Sequence, residues 1–251
     1  MGNKKDIVYV LKNDIDPAEL RYSLRSVCEN FDFNKIWFFG GCPDGFCPDY
    51  YVPILQKGNT KGERVWYTYE FVFTENSLTP NFYLFNDDFF ILKPYDQDMP
   101  LISRSLDAHI KFLEEKYGSS SAYCDLLKRT RKALTKRNKT TLDYTTHTPL
   151  LINKDKGYDL LSGLNKTLSF RLLYGNIYNL GGAVTKDVKI LGLNKLPKPD
   201  ATLVSTSDKS FKKGKVGEYI RKRFPNPCRY ELQPEEEQYN SVNEITEGWN
   251  S

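Results

Sequence analysis

Two spacings of apolar residues alternate along this chain, and each change of spacing marks a new element. "DIVYVL" (Asp6–Leu11) is a short β-prone run that predicts a buried first strand. Leu20, Leu24 and Val27 then fall at i, i+4 and i+7, the stripe of a buried helix. Its start is signalled by Asp16 as N-cap, Pro17 at the first helical position and Glu19 three residues after the cap. "KIWFFGG" (Lys35–Gly41) predicts a second strand ending in glycines. This strand–helix–strand opening is the βαβ signature of an open α/β sheet. "RVWYTYEFVF" fits both spacings and stays undecided, whereas "NFYLF" is a further β-prone run.

Beyond Pro94 and Pro100 the pattern turns helical. Ser103 or Ser105 caps "LDAHIKFLEEKY", with Gly118 behind it, and "SAYCDLLKRTRKALTKRNKT" continues as a helix. "LSFRLLYGNIYNLGG" predicts a helix stopped by Gly181, "ATLVSTS" a strand, and "KVGEYIRKRF" a helix halted by Pro225. The expected architecture is one α/β domain over residues 1–230, an open sheet with an α-rich second half. Its sheet core would lie at about 1–100 and 200–210, with the helical elaboration at about 101–200 between them.

Composition narrows the class. Of 251 residues, 39% are hydrophobic and 14% aromatic, ample for a core. No run of about 18 apolar residues is present, so no membrane span is expected. The start, "MGNKKDIVYVLKNDID", has too short an apolar run for a secretory leader, and Asp6 stands where a myristoylation signal needs Ser or Thr. A cytoplasmic location follows as the expectation. Cys28, Cys42, Cys47, Cys124 and Cys228 are scattered and odd in number, which favours reduced thiols. "CPDGFCP" offers two zinc ligands where four are needed.

Charge is unevenly spread. The last 21 residues, "ELQPEEEQYNSVNEITEGWNS", hold six acids and no base. Residues 1–230 therefore carry 36 bases against 26 acids, a net of +10. A basic body suits anionic or phosphate-bearing ligands, and the polar tail reads as extended or partly disordered.

Against that background, "FYLFNDDFFILKP" (Phe82–Pro94) sets two carboxylates inside an apolar run. Asp87 and Asp88 follow a β-prone segment, and ligands of open parallel sheets bind outside the carboxyl ends of strands. Neighbouring strand residues point to opposite faces, so the two would act from a strand-to-loop transition rather than as a flat pair. Carboxylates there suit Mg²⁺ or Mn²⁺ shared with phosphate oxygens, although a bare Asp-Asp pair also makes an ordinary turn. His147 in "THTPLLINK" precedes an extended Thr148-Pro149 step, where an imidazole can accept a proton from a hydroxyl or simply be a hydrogen-bonded loop histidine. Arg21 and Arg25, four apart near the first βα turn, can face phosphates or simply form a solvated face. The seven bases between Lys128 and Lys139 read first as a solvated helix face, and His109 as structural.

Taken together, "ELRYSLRSV", "FYLFNDDFFILKP" and "HTPLLINK", in this order, resemble the central blocks of the Stealth family. These are the sugar-phosphate transferases of bacterial capsule synthesis and the lysosomal-enzyme phosphotransferase of animals. "DIVYVLKND" resembles the family's first block, which normally reads like "VYTWVDG". Leu11, Lys12 and Asn13 stand where that block has Trp, Val and Asp, and Asp14 follows. "VSTSDKSF" is a candidate for the last block by position and by its acid, Asp208.

The resemblance spans roughly residues 6–155 and implies a UDP-sugar donor on a GT-A-like, Rossmann-like open mixed sheet. By block, Arg21 and Arg25 would face donor phosphates, Asn86, Asp87 and Asp88 would bind metal and donor, and His147 would be the base. Asp88 would thus serve both metal and catalysis. Arg171 in "SFRLLYGN" is a further candidate phosphate contact outside the matched blocks. The implied partner is a glycan acceptor. Plain glycosyl transfer to a glycan or to a hydroxylated DNA base is the alternative, and a non-catalytic glycan- or nucleotide-binding module is a third.

Overall fold

The computed structural model describes residues 4–95, 102, 104–118, 121–163 and 166–232. The chain opens as its pattern predicts, with β1 (Asp6–Leu11), α1 (Pro17–Asn30) and β2 (Ile36–Gly40). Asp16 caps α1 by accepting a hydrogen bond from the Ala18 amide at 2.9 Å, and Pro17 fills the first turn. β3 (Tyr50–Pro53), α2 (Lys61–Thr74) and β4 (Asn81–Phe85) follow.

The undecided "RVWYTYEFVF" belongs to α2. A capping box between Thr60 and Glu63 starts that helix, and its Trp66, Tyr69, Val72 and Phe73 are buried at helical spacing. Trp66 donates its indole N–H to the Leu168 carbonyl at 2.8 Å, tying the helix to the second half of the chain.

The main sheet has the order β3-β2-β1-β4-β6, where β6 is Leu150–Asn153. The first four strands run parallel, and β6 pairs antiparallel with β4. β1, β2 and β4 are apolar on both faces because helices cover both sides, as parallel strands require. The expected open, mixed α/β sheet is therefore what forms.

A tight turn after β4 leads into β5 (Phe89–Ile91), which starts a second sheet of order β5-β8-β7. Here β7 is Lys189–Ile190 and β8 is Leu203–Thr206. Phe90, Leu92, Val204, Phe211, Val216, Ile220 and Phe224 form a small core under this sheet, beneath α7 (Asp208–Lys213) and α8 (Lys215–Arg223).

The helical middle comprises α3 (Leu106–Tyr117), α4 (Ala122–Thr135), α5 (Lys154–Gly163) and α6 (Phe170–Ile177). α3 has the expected Ser105 cap and Gly118 end. α6 ends earlier than its sequence signal: the chain turns at Asn179 (φ 48°), before Gly181 is reached. Buried His109 lies 2.8 Å from an Asp143 oxygen, the structural role expected of it.

Two expectations are revised. The folded body does not stop at residue 230. Cys47 N–H donates to the Tyr230 carbonyl and Leu232 N–H to the Gly45 carbonyl, each at 3.0 Å, so Glu231 and Leu232 belong to the fold. The rest of the acidic tail lies outside the described residues. The basic face of α4 is partly paired, with Lys128 to Glu114 and Arg131 to Asp107 across to α3. Among the described residues no helix is long and apolar enough to cross a membrane.

Candidate active site

The aspartates sit where β4 ends, in the turn that hands the chain from one sheet to the other. Phe89 N–H closes this turn on the Asn86 carbonyl at 3.3 Å, leaving Asn86 exposed and both aspartates half-buried. Asp88 is anchored by one oxygen only. Its Oδ2 accepts from Lys189 Nζ and from Ser205 Oγ, both at 2.9 Å. Its Oδ1 is buried and has no partner among the described residues. A buried carboxylate oxygen without a donor is costly and calls for an explanation.

Charge accumulates around that oxygen. Burial, and then the charge of Asp88, push the Asp87 carboxyl above its ordinary range, with Lys61 and Lys12 pulling the other way. Glu19, 6% exposed, enters the same region from the first turn of α1 and accepts from Thr206 Oγ1. Burial raises its pKa to about 8, the Thr206 bond opposes this, and Asp208, Asp88 and Asp87 add to the rise. Four acids from three distant segments thus converge at the carboxyl ends of the strands.

His147 stands on the loop before β6. Its Nδ1 lies 2.9 and 3.1 Å from the two oxygens of Asp187. The carboxylate makes Nδ1 the protonated nitrogen, so Nε2 keeps its lone pair, and Nε2 has no partner among the described residues. Burial works against the Asp187 charge, yet the hydrogen bonds from His147 and from the Lys189 amide hold that carboxyl below the usual range.

Two residues on, Lys189 reaches Asp88, so the stretch Asp187–Lys189 links the imidazole to the aspartate turn. Arg171, on α6, braces the same loop. Its Nε donates to the Tyr144 carbonyl at 3.2 Å, and its Nη2 donates to the carbonyls of Thr146 and Thr148 at 3.2 and 2.6 Å. Arg171 Nη1 is buried without a partner among the described residues. Burial lowers its pKa to about 10, and Asp88 is among the groups that oppose this.

The arginine pair of α1 is placed differently from the expectation. Arg25 is 9% exposed and directs Nε and Nη2 at the two oxygens of Glu231, at 2.7 and 2.8 Å. Its Nη1 donates to the carbonyls of Phe224 and Pro225, at 3.0 and 2.9 Å. Every nitrogen is engaged within the fold, which leaves none for a donor phosphate. Arg21 also pairs with Glu231 and lies over the Phe46 ring at 5.0 Å. A cavity of about 740 Å³ opens beside this clasp, between α1 and residues 222–229, and no residue of the aspartate turn lines it.

No protein-family model matches the chain, and no curated protein matches it in sequence. The Stealth resemblance therefore rests on the quoted blocks alone. In three dimensions the chain is similar to an active-site mutant of LgtC, with a TM-score of 0.46 and 10% identity, over 92% of this chain and 98% of that one. It is also similar to the apo form of the glycosyltransferase GlyE of Streptococcus pneumoniae TIGR4, with a TM-score of 0.28 and 8% identity, over 77% and 69% of the two chains. Likeness at these levels decides nothing about the chemistry, which must be argued from the site.

Three site residues escape the sequence pattern. Glu19 carries the signature of a helix cap, but it turns into the site instead of closing the cap. Asp187 and Lys189 lie in a stretch without periodicity, and only their spacing of two in an extended segment hints at a shared direction. Asp208, at the start of α7, lies beside Glu19 and adds to the rise of its pKa.

Proposed function

We propose that this chain is a nucleotide-sugar-dependent transferase working at the mouth of a GT-A-like sheet, with a UDP-sugar as donor and a glycan hydroxyl as acceptor. The single observation that carries this reading is Asp88: one oxygen tethered by Lys189 and Ser205, the other buried and unpartnered.

That geometry fits a hard divalent cation. Among the described residues no group of three or more His, Cys, Asp or Glu side chains is arranged to hold a metal. Mg²⁺ and Mn²⁺ sites that use only one or two carboxylates take their remaining oxygens from substrate phosphates and water. Asp87 and Asp88 would supply the protein ligands. When bound, the cation offsets the charge that develops on the departing nucleotide.

The residues of the chain then divide the work. Asp88 is preset by Lys189 and Ser205, and Asn86, exposed on the same turn, is within reach of the donor. Arg171 Nη1 is buried with no hydrogen-bond partner among the described residues, and its guanidinium feels the charge of Asp88, which supports an anionic ligand there. His147, oriented through Nδ1 by Asp187, accepts the acceptor hydroxyl proton at Nε2. Arg21 and Arg25 have no part in donor binding in this reading.

The Stealth resemblance favours attack at the sugar-bearing phosphorus: the acceptor oxygen forms a new P–O bond, the bond to the bridging oxygen breaks, and UMP leaves. Attack at the anomeric carbon would instead release UDP. A panel of UDP-sugars with Mn²⁺ or Mg²⁺, scored for the released nucleotide, separates the two. UMP supports sugar-phosphate transfer; UDP replaces it with glycosyl transfer. Neither nucleotide, with folded Asp87→Ala and Asp88→Ala variants binding UDP-sugar as the parent does, leaves a non-catalytic binding module. His147→Ala is expected to slow transfer by roughly 10²–10⁴-fold while leaving donor binding intact.

A further inference from the structure

A cavity of about 720 Å³ adjoins the site on the side of β7, and Thr148, Asp187 and Lys189 lie in its wall. Asp187 and Lys189 are thus shared: each faces the reacting centre through its side chain, and each borders the cavity. Five lysines and two aspartates line this space. Asp187 is occupied by His147 and Lys189 by Asp88. Lys116 lies over the rings of Phe112 and Tyr117.

That leaves Lys186, Lys195 and Lys198, which are exposed and make no ion pair among the described residues. Their positive charge faces the cavity against a single remaining acid, Asp200. The wall between them is apolar, with Leu196 at 56% exposure and Leu191 at 53%. Lys195 is held in place by a turn, its amide donating to the Gly192 carbonyl at 3.2 Å, with its methylenes 3.1 to 3.4 Å from where a Cβ on Gly192 would stand. Lysines around an apolar wall match a sugar that carries a phosphate: the ring lies on the leucines and the anion is met by the ammonium groups.

We infer that this cavity is the acceptor subsite and that it selects a phosphorylated glycan over a neutral one. The inference deepens the transferase reading and rests on it, since the cavity gains its role from its place beside His147. An acceptor seated here brings a hydroxyl toward Nε2, while its phosphate stays at the lysines, away from the carboxylates of the donor side.

The test uses the full chain with maltotriose and maltotriose 6-phosphate as probes, titrated calorimetrically in the presence of UDP and Mn²⁺. The parent is expected to bind the phosphorylated probe roughly tenfold or more tightly than the neutral one, as charge-assisted contacts imply. The combined variant Lys186→Glu, Lys195→Glu and Lys198→Glu changes only exposed side chains. It should lose that preference and bind UDP with Mn²⁺ as the parent does. Equal binding of the two probes by the parent, or a preference that survives in the variant, overturns the inference. Tighter binding of a single-stranded oligonucleotide through the same lysines overturns the glycan and makes the acceptor a nucleic acid. If the parent prefers the phosphorylated probe but does not bind UDP, the donor reading fails and the anion subsite stands.

Discussion

One buried and one half-buried aspartate mark opposite ends of the main sheet, and they are treated in opposite ways. Asp6, at the amino end of β1, is 1% exposed and fully used: Asn34 Nδ2 donates to one oxygen, and Trp37 Nε1 and the Thr79 amide to the other. Asp88, at the carboxyl end of β4, keeps a buried oxygen with no donor among the described residues. The first carboxylate is spent on the fold and the second is held ready for something else. α1 repeats the contrast within itself, because Glu19 turns into the acidic mouth whereas Arg25 exhausts its donors on Glu231 and two carbonyls. Charge near a strand mouth is therefore not the mark of a site; incomplete satisfaction is.

That contrast can be broken by substitution. The largest effect is expected at the clasp. Glu231→Ala strands Arg25 in a buried setting and should cost roughly 3–5 kcal/mol in chemical denaturation, with UDP binding by the folded protein unchanged. A variant as stable as the parent would mean that the clasp is not a buried ion pair in solution.

Asp6→Ala comes next. It deprives three donors, the buried Trp37 indole among them, of their acceptor and should cost about 1–3 kcal/mol, again without effect on donor binding. Thermal unfolding and a UDP titration of the same sample check both halves of that expectation.

The pH dependence separates the two glutamates, each limited to about 1.4 kcal/mol per pH unit. Burial opposes the Glu231 charge, but the bonds from Arg25, the Cys228 amide and Arg21 hold its carboxyl below the ordinary 4.5. Its stabilisation is complete above that value and is lost as pH falls through the depressed one. Glu19 is raised from 4.5 to about 8, so its contribution is complete below 4.5 and is lost as pH climbs to about 8. In metal-free protein, Glu231→Gln should flatten the acid limb of the stability curve and Glu19→Gln the neutral limb. Superimposable curves for parent and Glu19→Gln between pH 5 and 8 would contradict the burial of that carboxyl.

The smallest stability change is expected at Asp88. Asp88→Asn should shift stability by less than about 1 kcal/mol, since the loss of charge near Asp87 and Glu19 offsets the weakened bonds to Lys189 and Ser205. A loss as large as that at Asp6 would place Asp88 among the structural acids and dissolve the comparison.

Much of the frame could be read in advance because local pattern and global fold agree there. The βαβ opening, the Ser105–Gly118 limits of α3 and the aspartate turn all follow from spacing, caps and breakers. α2 could not be settled because its aromatic run satisfies both periods, and the packing of Trp66 and Phe73 decides in favour of helix. The partner of the arginine pair is not legible in the sequence for a different reason. Glu231 lies 206 residues from Arg25, and no local rule connects positions so far apart. Glu19 reads as a cap residue from its spacing, and the Thr206 that engages it lies 187 residues away. The site is legible where one strand ends in it and obscure where distant segments complete it.

The central claim is that the unpartnered oxygen of Asp88 marks the donor–metal site. It is tested most directly by titrating UDP-glucose into the parent and into Asp88→Asn by calorimetry, with and without Mn²⁺. Binding by the parent that requires Mn²⁺ and weakens by at least about tenfold in a folded Asp88→Asn variant is the predicted result. Binding that is indifferent to Mn²⁺ and equal in the two proteins would contradict it.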